Sequence, residues 1–235
     1  MKKSILVQFL RHSGFWLTTS DDVNIVIDPV LSSSYKGQWL IPPPFEPTAI
    51  EKADAILITH LHPDHFDAET IYGITRRTGA KVIAPLDVIG KLTLPNKKTR
   101  SVETGETVSV KSVKIHVIGV GTYEWWDEEE KENIGYKLVT GDGLELLHPS
   151  DSLPLPEDGM GTDILFTHIA VKSPNKRKIF DLVRKTQPQF VIPMHYGTYT
   201  SIRADPEEIR DEVETAKTKM LVFYPGQVRK IQFNP

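Results

Sequence analysis

Thr59-His60-Leu61-His62-Pro63-Asp64-His65-Phe66-Asp67 is the stretch on which the reading of this chain turns. It follows A-D-A-I-L-I-T (53–59), a short apolar run of the kind that forms a buried strand. His60 and His62, two apart in an extended backbone, project to the same side. Pro63 disfavours helical geometry at His62 and so holds that stretch extended. Asp64 and His65 then fall in the turn before a helix predicted over Ala68–Arg77, with Asp67 placed as its N-cap. A polar strand-to-helix loop has no need of three imidazoles and a carboxylate packed this densely. A divalent metal ion does, because these are its nitrogen and oxygen ligands.

The segments around this motif are read by period. Ile5–Leu10, Gly14–Thr19 and Val23–Asp28 are short apolar or alternating runs broken by Ser-Gly and Asp21-Asp22, the pattern of a meander. The proline-rich connection from Pro42 to Pro47 is not expected to hold regular structure. Beyond the motif come a strand at Lys81–Ala84 and a short helix at Leu86–Leu92. Thr107–Val120 alternates β-branched residues, as a half-buried strand pair does. Ile134–Thr140 and Leu144–His148 flank Gly141-Asp142-Gly143, a hairpin turn. The remainder predicts strands at Asp163–His168, Phe190–Pro193, Met220–Tyr224 and Val228–Phe233, with helices at Asn175–Lys185 and Pro206–Lys217. No repeat or low-complexity tract divides the chain, so a single domain, 1–235, of two sheets covered by helices is expected.

Composition bounds the function. The chain has 235 residues, 28 Lys+Arg and 31 Asp+Glu, a formal charge of −3, and no basic block to hold a nucleic acid. It has no Cys, which excludes disulfides, thiolate metal sites and cysteine nucleophiles. The N-terminal run Ile5-Leu6-Val7 starts like a secretory leader. Gln8 breaks it and Arg11-His12 closes it, with no small-residue cleavage site following. No segment approaches the roughly 20 apolar residues of a membrane span. A cytoplasmic location is therefore expected.

H-x-H-x-D-H after a strand resembles the metallo-β-lactamase fold superfamily, and further segments carry the resemblance in order. N-I-V-I-D-P (24–29) is similar to the early strand ending in an Asp beside the metal site, here Asp28. L-L-H-P-S-D-S (146–152) resembles the strand leading to a metal-bridging Asp, here Asp151, and V-I-P-M-H-Y-G-T-Y (191–199) the last ligand strand, here His195. With L-R-H-S-G-F (10–15), these segments are similar to the branch of metal-dependent hydrolases that includes L-ascorbate-6-phosphate lactonase and the N-acylphosphatidylethanolamine phospholipase D. The resemblance implies an α/β (α+β) four-layer αββα sandwich with the metal site at one edge. His60 and His62 would serve a first metal, Asp64, His65 and His195 a second, and Asp151 both. One or two divalent ions are implied, zinc first, with Mn, Fe or Ni compatible with the same ligands. A hydroxide on the metal would be the nucleophile, oriented by Asp64.

One ligand of that pattern is missing. The family places a third His for the first metal after the strand that here is Val113–Gly121, where this chain has Thr122. His116 lies six residues earlier, about 20 Å away in extended backbone. Glu124, in the acidic segment beginning E-W-W-D-E-E-E, and His168, ending D-I-L-F-T-H, are the candidate substitutes. The site with Asp64, His65, Asp151 and His195 is complete and is expected to fill first. Asp28 is placed to fix the tautomer of a ligand His, Tyr196 to donate to a developing oxyanion, and Trp39 to wall a substrate pocket. His12 and His148 are expected to be structural. These residues predict a metal-dependent hydrolase of a small ester, lactone or phosphodiester, with a small-molecule partner and the oligomeric state open. Thr122 instead favours a metal-binding but catalytically weak sensor or structural protein. A nucleic-acid phosphodiesterase is opposed by the charge of −3.

Overall fold

The computed structural model describes residues 3–32, 39–120, 133–153, 161–170, 176–200, 202 and 204–233. In chain order the strands are β1 (Ser4–Arg11), β2 (Gly14–Thr19), β3 (Asn24–Ile27), β4 (Ala55–Leu57), β5 (Lys81–Ala84), β6 (Thr99–Ser101) and β7 (Thr107–Val110). They continue as β8 (Val113–Gly119), β9 (Ile134–Val139), β10 (Glu145–His148), β11 (Ile164–His168), β12 (Phe190–Met194), β13 (Lys219–Met220) and β14 (Val228–Gln232). The α-helices are α1 (Ala68–Thr78), α2 (Leu86–Ile89), α3 (Lys176–Thr186) and α4 (Arg210–Val213).

Two seven-stranded sheets result, ordered β14-β1-β2-β3-β4-β5-β6 and β13-β12-β11-β10-β9-β8-β7. Each is antiparallel in one half and parallel in the other. The change falls at β3, antiparallel to β2 and parallel to β4, and at β10, antiparallel to β9 and parallel to β11.

The two-residue period of the strands sorts their side chains between layers. Ile25, Ile27, Ala55, Leu57 and Ile83 face the core shared with the second sheet, where Ile115, Leu138, Leu146, Phe166 and Ile192 meet them. Val26, Ile56, Val82 and Ala84 face outward and are covered by Ile71 and Ile74 of α1 and Val88 of α2. On the second sheet α3 contributes Ile179, Leu182 and Val183. Each fully buried Leu or Ile contributes roughly 1.5–3 kcal/mol over its exposed state, so this sorting fixes the register of both sheets. Tyr136 crosses between them: its hydroxyl lies 2.8 Å from the Ile58 carbonyl and 3.2 Å from that of Ile83. The expected two-sheet sandwich with helices is the one observed.

Helix α1 begins where the sequence places it. Asp67 accepts from the Thr70 amide and also takes the Ser32 amide at 2.9 Å, tying the cap to the loop after β3. Gly79, at φ 79°, closes the other end. Three expectations change. The helix over Pro206–Lys217 is a 3₁₀ turn, Pro206–Ile209, and one α turn, α4. It stops because the Thr215 hydroxyl takes the amides of Lys217 and Thr218, and Glu214 takes that of Met220. The strand over Met220–Tyr224 is only β13, since the Phe223 backbone bonds to a side chain rather than to a ladder. The helix over Leu86–Leu92 stops at Ile89, before Gly90. Short β6 and the 3₁₀ turns Pro47–Ala49 and Asn96–Lys98 carry no clear periodic signal. No helix among the described residues is long and apolar enough to cross a membrane.

Candidate metal centre

The centre lies off the carboxyl ends of the strands around the two switches of direction, where sheets of this kind leave a crevice. Asp28 follows β3, His60 to His65 follow β4, Asp151 follows β10, His168 ends β11 and His195 follows β12. Two donor groups form there. Asp64, His65, Asp151 and His195 make one; His60, His62 and Asp151 make the other; within each, the donor atoms lie within 4.8 Å of one another.

In the first of these groups Asp151 Oδ1 is 2.8 Å from His65 Nε2 and 3.0 Å from His195 Nε2. The two imidazole nitrogens are themselves 3.0 Å apart. Asp64 Oδ2 stands 4.0 Å from His195 Nε2. In the second, Asp151 Oδ2 is 3.6 Å from His60 Nε2 and 3.9 Å from His62 Nδ1. Asp151 thus turns one oxygen to each group. Ligands about 2.0–2.1 Å from a tetrahedral ion are separated by roughly 3.4 Å, and these donors cluster around that spacing. Four imidazoles and two carboxylates converging this closely fit a divalent cation.

Asp28 and Thr59 set which ring nitrogens face inward. Buried Asp28 takes the Thr59 amide and hydroxyl, each at 2.8 Å, and lies 2.7 Å from His65 Nδ1. With Nδ1–H donated to Asp28, the His65 Nε2 lone pair is left for the metal. His60 Nδ1 lies 2.9 Å from Thr59 Oγ1, which orients His60 in the same way.

The turn Arg11-His12-Ser13-Gly14 holds the other side. His12 Nε2 lies 3.0 Å from Asp64 Oδ2, so it donates, and Nδ1 accepts from the Thr198 hydroxyl at 2.7 Å. The His12 carbonyl takes the His195 amide at 3.1 Å, and Ser13 Oγ donates to the Asp64 carbonyl at 2.8 Å. His12 therefore clasps two candidate ligands, a role the sequence left as merely structural. Gly14 is required: a Cβ there would stand 2.9 Å from the Asp28 carbonyl oxygen. Arg11, buried, donates to the carbonyls of Val30 and Ile41 and lies 3.6 Å over the Trp39 ring. Trp39 packs on Tyr199 (4.0 Å) and Tyr199 on His12 (4.8 Å), so the Trp39 loop is fastened beside the centre.

Electrostatics follow from burial and mutual charge. Burial opposes ionisation of Asp64 and Asp151, yet the hydrogen bond from His12 and the nearby His65 hold Asp64 below the usual carboxylate range, and His65 and His195 do so for Asp151. Burial pushes His60 and His12 down, His195 to about 4 and His168 to about 3. Burial also opposes charge on His65, but the carboxylates of Asp151 and Asp28 outweigh it and raise its pKa. The raised pKa favours on His65 a proton that a cation would replace.

The other expected residues are placed as follows. The Tyr196 hydroxyl donates to the Phe223 carbonyl at 2.5 Å and takes the Phe223 amide at 3.0 Å, with its ring against Phe9. The hydroxyl expected to serve an oxyanion is thus engaged by the backbone. His168 stands outside both donor groups but packs edge-on against His195, ring centroids 4.4 Å apart. His116 points out on β8, 2.9 Å from Thr107 Oγ1, away from the centre. His148 is a core residue between Phe15 and Phe166, as expected. Thr122, Glu124, Trp125 and Trp126 lie outside the described residues.

A further signal marks the centre. Of the seven non-glycine residues with positive φ among the described residues, four lie here: His12 (58°), Asp28 (43°), Ser150 (58°) and His195 (64°). Each costs of order 1–3 kcal/mol, and such residues collect where a site dictates side-chain direction. Asp and His are among the types that tolerate the region, but sequence alone does not reveal which of them adopt it.

The model of the Beta-lactamase superfamily domain matches residues 6–195. The chain belongs to that superfamily. It is similar to a UPF0173 metal-dependent hydrolase of Pyrococcus furiosus, 28% identical over 239 residues, covering 95% of this chain and 98% of the relative. Among solved structures, Igni18, a metallo hydrolase of Ignicoccus hospitalis, superimposes with a TM-score of 0.73 at 24% identity, covering 98% of this chain and 100% of that one. CmlA, a diiron β-hydroxylase of Streptomyces venezuelae, gives a TM-score of 0.65 at 17% identity, over 97% of this chain and 54% of that one. At these identities the two structures carry the fold alone.

Proposed function

We propose that the chain is a metal-dependent hydrolase of a small ester, lactone or phosphodiester, with zinc as its first-choice ion. The observation that carries this is the sharing of Asp151: its two oxygens face His65 and His195 on one side and His60 and His62 on the other. A divalent cation bound there supplies a water of lowered pKa and polarises a substrate oxygen. The chain's own residues do the rest. Asp28 and Thr59 hold the tautomers of His65 and His60, His12 aims the Asp64 carboxylate, and the Trp39–Tyr199 pair walls the approach. The same nitrogen and oxygen ligands also suit iron.

The test is paired. His65→Ala and Asp151→Asn are expected to abolish hydrolysis of lactone and phosphodiester panels and to lower bound metal. Hydrolysis surviving both changes contradicts the proposal. A catalytically weak metal-binding protein is the second reading, favoured by Thr122 at the third-His position. It predicts metal uptake with no turnover on any panel.

A further inference from the structure

β11 ends on His168, a side chain 5% exposed. Neither Nδ1 nor Nε2 has a hydrogen-bond partner among the described residues. That sets it apart at the centre, where His12, His60, His65, His148 and His195 each have one. Buried polar groups in folded proteins are nearly always partnered, because an unmet donor or acceptor loses its water for nothing. A structural histidine would have found a partner in the fold, as His148 does with Ser13 and Ser150. A metal ligand would stand in one of the donor groups, and His168 stands in neither. Its ring abuts His195, whose Nδ1 is also unpartnered among the described residues. Three unmet ring nitrogens, two of His168 and one of His195, therefore lie beside the Asp64–His65–Asp151–His195 group.

We propose that His168 is a substrate-binding residue whose ring N–H donates to an oxygen of the bound ester, lactone or phosphodiester. This rests on the hydrolase proposal above. An imidazole N–H suits the task, since it presents a directed donor to a substrate oxygen. The unmet nitrogens are then a site kept ready, with their desolvation offset only when ligand is bound.

The test uses His168→Leu, which fills much of the same space without polar atoms, and His168→Gln, which keeps an N–H donor. In the metal-free protein Leu is expected to raise Tm by about 2–4 °C, because an unmet polar group is removed from an apolar setting. Zinc content should match the wild type. On the zinc-loaded protein the Kd for inorganic phosphate, the oxyanion probe, should rise about tenfold with Leu and recover in part with Gln. Hydrolysis should show kcat/KM reduced by roughly 10–100-fold with Leu. A fall in Tm with Leu would show that the fold uses the imidazole, and a fall in zinc content would make it a ligand; either overturns the proposal. So does phosphate affinity that is equal in the two proteins or absent from both. If the wild type hydrolyses no panel while Leu still weakens phosphate binding, the hydrolase proposal fails and His168 as an oxyanion contact stands.

Discussion

Asp28→Asn isolates the contribution of one carboxylate that touches no metal. Asp28 Oδ1 takes the Thr59 amide and Oδ2 takes the Thr59 hydroxyl and His65 Nδ1–H, at 2.8, 2.8 and 2.7 Å, all buried. An amide of the same shape cannot serve all three. With its oxygen toward the Thr59 amide, its NH2 faces His65 Nδ1 and favours the tautomer with Nε2–H, the wrong one for a ligand. Flipped, it sets NH2 against the buried Thr59 N–H. Either arrangement costs about 1–3 kcal/mol for an unmet buried donor, and a charge-assisted bond is lost besides. At 1.4 kcal/mol per decade this is a fall in zinc affinity of roughly 10–100-fold, the range seen when such supporting groups are removed. Asn tolerates the positive φ of 43° at this position, so backbone strain does not confuse the result. The assay is zinc competition with a chromophoric chelator near neutral pH. A Kd within about threefold of wild type would refute the idea that Asp28 fixes the His65 tautomer.

Three further outcomes are expected. His12→Ala should weaken zinc binding by about tenfold because Asp64 loses its donor; His12→Gln, which can still donate, should recover part, and equal losses in both would show that ring packing rather than donation matters. Zinc binding at the Asp64–His65–Asp151–His195 group should release about one proton near neutral pH, since the carboxylates of Asp151 and Asp28 raise the His65 pKa. Its raised pKa adds stability that is present below about pH 6.5 and lost as pH rises through the folded value, so metal-free stability should fall with pH there while zinc affinity rises. Calorimetry in buffers of different protonation enthalpy reads the proton directly, and none released would contradict the assignment. Tyr196→Phe should cost about 1–3 kcal/mol of stability by freeing both Phe223 backbone groups, read by denaturant unfolding. It should leave the hydrolytic rate within about threefold; a loss of 100-fold or more would restore the oxyanion role.

The residues legible in the sequence are those whose geometry is local. His60, His62, Asp64 and His65 lie on a strand-to-turn segment whose backbone the sequence itself dictates, and the cap at Asp67 likewise needs only three following residues. Asp151 and His195 became legible only through resemblance to a family, since nothing in their spacing says that β10 and β12 end at the same place. His12 was underestimated because its partner Asp64 is 52 residues away and its ring direction depends on a positive φ. Tyr196 was misjudged for a similar reason: its hydroxyl is claimed by Phe223, 27 residues on, where the expected strand gives up its ladder. The helix expected over Pro206–Lys217 falls short because its end is set by Thr215 and Glu214 hydrogen bonds that helical period cannot reveal.

The centre as a whole is tested most directly by counting metal. Elemental analysis of protein purified without chelator or metal-binding tag should find about one to two equivalents of divalent ion per chain, and Asp151→Asn should remove most of it, because that side chain faces both donor groups. Less than about a tenth of an equivalent, not restored by added zinc, manganese or iron, would contradict a metal centre at these residues.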